Sequence, residues 1–162
     1  MNTKDVTGTL GTLFAELIDG APASGGYMLN AGDQGLVRSL DKLPATAASA
    51  PTSTGSSIAA HVDHVRYGLS LLNRWSAGEN PFTDADWGAS WEKKTVTETQ
   101  WQKLRADLRA EAVRWLNALR TPREVQEIEL NGMIGSIAHL AYHVGAIRQI
   151  DSSVRGPVES NG

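Results

Sequence analysis

The stretch NGMIGSIAHLAYHVGAIRQI, residues 131–150, decides how the rest of the chain is read. No proline interrupts it, Arg148 is its only charged residue, and Asn131 is a suitable N-cap, so the run is predicted to be one helix. On a helix, His139 and His143 lie about 40° apart around the axis, one turn above the other. Gly132, Gly135, Ala146 and Ile150 share their face, and Arg148 points almost directly away. Two imidazoles are therefore aimed where other helices must pack. A buried neutral imidazole needs a partner at each ring nitrogen, and a divalent cation is one such partner.

Composition narrows the alternatives. A chain of 162 residues is expected to form one domain, here over residues 1–151, with 152–162, SSVRGPVESNG, as a flexible tail. A domain of that length buries roughly two-thirds of its unfolded surface. The net charge of −3, with no Lys/Arg cluster, argues against nucleic acid. The absence of cysteine excludes a disulfide framework, a thiolate metal site and a cysteine nucleophile. The N-terminal run MNTKDVTGTLGTLFAELIDG carries acids within its apolar part and has no signal-peptide pattern. The uncharged run in the last helix holds two histidines and several glycines, which fits a protein core better than a membrane span. The expectation is a soluble, cytoplasmic protein with no membrane partner.

Apolar spacing sets out the remaining helices. Leu10, Leu13, Phe14, Leu17 and Ile18 define a first helix over about Thr7–Asp19, ended by Gly20, Pro22, Gly25 and Gly26. A short helix is expected over Gln34–Leu43, stopped by Pro44, and Ala45–Ser56 reads as a loop. From Ser56 or Ser57 to Trp75, Ile58, Val62, Val65, Leu69 and Leu72 recur with helical period. Beside them runs a row of His61, His64, Gly68, Leu71 and Trp75, while Asp63, Arg66, Ser70 and Asn73 should meet solvent. Thr97-Glu-Thr-Gln100 fits a capping box for a third long helix, whose inward stripe is Trp101, Leu104, Leu108, Trp115 and Leu119. No segment alternates with period two over a strand's length. The predicted fold is all-α, a four-helix bundle with a short extra helix and long inter-helix loops.

The chemistry rests on four histidines. His139-x-x-x-His143 offers two ligands on one helix, and the HVDH phrase at 61–64 offers a third from another. Three protein ligands leave a coordination position open for water or substrate. Nitrogen donors suit Zn, Ni, Fe or Co. The plainer alternative is that these are core histidines that only satisfy hydrogen bonds. Neither HVDHV nor HLAYH has the Glu of an H-E-x-x-H metalloprotease, and neither helix has the Glu-x-x-His of a di-iron site. G-x-S-x-G, P-loop and dinucleotide-binding motifs are absent.

SIAAHVDHVRYGL, followed much later by HLAYHVGAIRQI, resembles the DinB-like superfamily, named for a DNA-damage-inducible protein. The likeness covers most of the chain. It implies a four-helix bundle, usually dimeric, with three histidines holding Ni, Zn or a similar divalent ion. Relatives include transferases and isomerases that use a low-molecular-weight thiol as cosubstrate. Carried over, the pattern assigns His139 and His143 as the fourth-helix pair and His64 as the second-helix ligand. Periodicity instead centres His61 on the apolar arc, so His61 is either a supporting group or the alternative ligand. The resemblance points to a metal-dependent enzyme activating a thiol or water, of transferase, isomerase or hydrolase type. The alternatives are a metal-binding or stress-response protein without turnover and a metal-free structural bundle.

Other residues carry weaker readings. Tyr67 and Tyr142, one helical turn or less from the ligand candidates, could orient a substrate, and Trp87 and Trp91 could line a pocket mouth; packing is the plainer role of each. Arg148 is expected in an inter-subunit or surface ion pair. The last helix is apolar nearly all round, with Ile134, Ile137, Ala141 and Val144 on its far side, which leads to the expectation of a homodimer.

Overall fold

A computed structural model describes residues 3–158. The described chain is all-helical: six α-helices and three single 3₁₀ turns, with no strand among the described residues. Two compact units are present among the described residues, 41–118 and 3–40 with 119–158.

Within residues 41–118, α3 spans Ala45–Ala48, α4 Ile58–Ser76, and α5 begins at Glu98 and runs on to Arg120. The α4 start is fixed by Ser57, whose backbone is extended and whose hydroxyl oxygen accepts the Ala60 N–H at 3.2 Å. At α5 both halves of the capping box form: Thr97 N–H donates to Gln100 Oε1 at 2.8 Å, and Gln100 N–H donates to Thr97 Oγ1 at 3.3 Å. The stripe Trp101, Leu104, Leu108 and Trp115 is buried, and the Trp101 indole N–H donates to the Leu43 carbonyl at 2.7 Å. Asn73 Nδ2 joins α4 to α5 by donating to Glu111 O and Oε2 at 3.0 and 2.7 Å. Where a loop was expected from Ala45, Pro44 opens the short helix α3 instead; its fixed φ suits a helix start as well as a stop.

In the other unit, α1 spans Thr3–Asp19, α2 Gly35–Leu40 and α6 Glu127–Ile150. Leu10, Phe14, Leu17 and Ile18 are buried. Glu16 is also buried, because its carboxylate accepts the backbone N–H groups of Tyr27, Met28 and Leu29 at 2.9, 2.7 and 2.6 Å. These charge-assisted bonds fasten the connection between α1 and α2. Gly20 (φ 105°) and Gly35 (φ 70°) lie where the two segments touch: a Cβ on Gly20 would strike the Asp33 carbonyl, and one on Gly35 would strike the Gly20 nitrogen.

The expected cap at Asn131 is corrected. The α6 helix starts five residues earlier, capped by Gln126, whose side chain and that of Glu129 bond reciprocally to the backbone. Glu127 and Glu129 in the first turn also favour the helix dipole. The expected surface or inter-subunit pair of Arg148 is corrected as well. Its guanidinium meets the buried carboxylate of Asp33 at 2.7 Å within the chain. Beyond α6, a 3₁₀ turn, Ser152–Val154, buries Val154, and Asn30 Nδ2 donates to the Pro157 carbonyl at 2.8 Å. Within the stretch from 152 that composition marks as a loose tail, Val154 is buried while Ser152, Ser153 and Arg155 are exposed. Residues 159–162 of that tail lie outside the described residues.

Candidate metal centre

His64 lies in the second turn of α4, where the helix is buried on nearly every side. Its ring is held on one face and one edge. Trp91 stacks on the face, with centroids 4.3 Å apart and planes 26° apart, and Ser90 Oγ lies 2.7 Å from Nδ1. Trp87 approaches at 5.7 Å. His61, one turn back, meets the same Trp91 edge-on at 5.0 Å. The segment carrying these tryptophans is tied to α4 at several further points. Asp86 N–H donates to Tyr67 Oη at 3.0 Å, Ser57 Oγ donates to the Lys94 carbonyl at 2.7 Å, and Lys93 Nζ pairs with Asp63 at 3.1 Å.

Asp63 was expected on the solvent face. It is buried instead, because both of its oxygens are engaged, one by Lys93 and the other by Arg66 Nε at 2.7 Å. Long cationic side chains from two directions supply what water would have supplied. Asp63→Asn keeps the shape and removes the charge. It is expected to lower stability by about 1–2 kcal/mol, as loss of charge-assisted bonds does, measurable by urea unfolding.

On α6, His139 and His143 stand edge to face, with their Nε2 atoms 3.0 Å apart. His143 is 1% exposed, and Tyr142, itself 66% exposed, lies edge-on against it at 5.0 Å. The two Nε2 atoms are close enough together to share one divalent cation. The donors fit such an ion: ligands about 2.0–2.1 Å from a metal sit roughly 3 Å apart at its corners, as the α6 pair already does. Tyr67 and Trp87 contact each other edge-on at 5.6 Å, and the Tyr67 hydroxyl serves the 86–94 segment.

Burial pushes His61 and His139 below their ordinary pKa of 6.5. The native state thus prefers both rings neutral, whereas the unfolded chain takes up protons once pH falls to about 6.5. Metal-free protein is therefore expected to keep this stability above pH 6.5 and lose it as pH falls from there through the lowered native values. Thermal unfolding between pH 8 and 5, compared with a variant in which both rings are replaced by glutamine, measures the difference.

A separate groove of about 740 Å³ follows α5, lined by Asp41, Gln102, Arg105, Arg109 and Val113 among others. Its cations are already engaged: Arg105 and Arg109 both bind Asp41, at 2.7 and 3.2 Å, and Arg114 binds Glu111. It holds no histidine.

Sequence reasoning missed Ser90, since an isolated serine in a connection has no periodicity. Its one signal is its place beside Trp91, three residues after Trp87, in a segment too apolar for a plain linker. No family model matches the chain, and neither does any curated protein or solved structure.

Proposed function

We propose that this chain is a DinB-like metalloprotein, one domain over residues 1–151 built as a four-helix bundle of α1, α4, α5 and α6. In this reading His64, His139 and His143 hold a divalent ion such as Ni or Zn, with a coordination position left open. The observation that carries it is the α6 pair, two imidazole nitrogens 3.0 Å apart on one helix face. Held there, such an ion lowers the pKa of a thiol or water brought beside it. With no cysteine in the chain, the thiol is a small-molecule cosubstrate. The protein's own part is to fix the three rings, to wall one side with Trp87 and Trp91, and to present Tyr142 near His143.

One observation favours a metal-free alternative: at 3.0 Å, His139 and His143 can hydrogen-bond directly to each other. Elemental analysis of protein purified without chelator or nickel resin separates the two. About one transition-metal ion per chain supports the metal reading; a metal-free protein that also takes up no added Zn or Ni supports the alternative. Incubating loaded protein with low-molecular-weight thiols and electrophiles then tests turnover, and no acceleration across a broad panel leaves a binding protein.

A homodimer belongs to the same reading. Ile137 and Val144 are buried in the chain's own fold, while Ile134, Ala138, Tyr142 and Gly145 form an uncharged exposed stripe along α6. Ile134 is 50% exposed, and a Cβ added at Gly135 or Gly145 would meet nothing within 4 Å. A second copy packing there would cover it. Light scattering is expected to show a dimer that Ala138→Arg shifts to monomer; a wild-type monomer at high concentration would contradict this.

A further inference from the structure

We infer that Ser90 is a positioning residue of the metal centre, and that with the Trp87 carbonyl it fixes which nitrogen of His64 is the donor. The inference rests on the metal reading above. Ser90 Oγ is buried and makes two short bonds, 2.6 Å to the Trp87 carbonyl and 2.7 Å to His64 Nδ1. A hydroxyl has one proton. A carbonyl only accepts, so that proton goes to Trp87, and the serine oxygen must accept from His64. His64 Nδ1 therefore carries the ring hydrogen, which places the ring's lone pair on Nε2. Trp91, stacked on the ring, holds its plane while Ser90 holds its edge. A ligand histidine whose other nitrogen donates to an oriented acceptor has its tautomer and ring angle set before the ion arrives. The 86–94 segment is thus part of the site through hydrogen bonding, and the points that tie it to α4 keep Ser90 in place.

The test uses full-length protein, wild type and the variants Ser90→Ala and Ser90→Thr, with Zn or Co(II) as probe. Nitrogen-15 imidazole spectra of the metal-free wild type should show His64 protonated at Nδ1, and S90A should lose that preference. Metal affinity is expected to fall about 10–100-fold in S90A, the usual cost of removing such a supporting partner, and to return in S90T. Thermal unfolding of each variant checks that the fold is intact; a purely structural role would change melting without moving the tautomer. A wild-type His64 protonated at Nε2, or S90A with wild-type affinity, would overturn the inference. If the wild type binds no ion at all, the metal reading falls together with the affinity effect, and the spectra still decide the tautomer.

Discussion

Replacing His143 with alanine should abolish stoichiometric metal binding. His143 is the most deeply buried of the three candidate ligands, at 1% exposure, and its Nε2 faces that of His139 at 3.0 Å. Its removal deletes a donor rather than a supporting partner. The loss should therefore exceed the roughly 10–100-fold that loss of a supporting hydrogen bond costs. Alanine at 64 should act alike. Alanine at 61 should leave most of the ion bound, because His61 is not one of the three proposed ligands and packs edge-on against Trp91. Competition titration with a chromogenic chelator reads all three. Strong loss at 61 with retention at 64 would transfer the α4 ligand to His61.

The largest stability effect is expected at Trp101. The ring is fully buried at the start of α5, and its N–H is bonded to the Leu43 carbonyl at 2.7 Å. Trp101→Ala opens a cavity costing about 3–5 kcal/mol. It also strips the carbonyl of its partner, at about 1–3 kcal/mol more. Domains of this kind hold only about 5–15 kcal/mol in total, so this variant should be largely unfolded at mildly raised temperature. Trp101→Phe isolates the second contribution: most of the volume stays and only the bond is lost, for about 1–3 kcal/mol. Urea midpoints measure both. A Phe variant as stable as wild type would mean that the Leu43 carbonyl finds another donor at no cost.

Much of the helical layout was legible because apolar residues mark their own period. The stripes of α4 and α5 and the cap at Thr97 appear in the structure at the positions their spacing indicates, and of the two serines that could open α4, Ser57 is the cap. What escaped was set by contacts between segments distant in sequence. Asp63 reads as a surface residue until Lys93 is placed beside it. Glu16 lies within an apolar stripe, and only the folded 27–29 segment supplies the three N–H groups that make its burial tolerable. Arg148 is the lone charge of its helix, and its partner Asp33 is far away in the chain. The start of α6 was missed for a different reason: a Gln cap with a Glu in its third position lies outside the usual Ser, Thr, Asp and Asn signal.

The same division applies to the candidate site. The H-x-x-x-H spacing indicates two rings on one face of α6. Between His61 and His64, periodicity favours His61, at the middle of the apolar arc, and the family pattern His64; burial does not separate them, since both are 8% exposed. Ser90 was invisible because its role comes from two short bonds and from no pattern.

The most direct measurement is metal-edge X-ray absorption on protein loaded with one equivalent of zinc. Three imidazole nitrogens in the first coordination sphere, giving way to the oxygen shell of unbound zinc in His143→Ala, is the expected result. A wild-type zinc shell of oxygens alone, or a spectrum unchanged by that substitution, would contradict the convergence of His64, His139 and His143 on one ion.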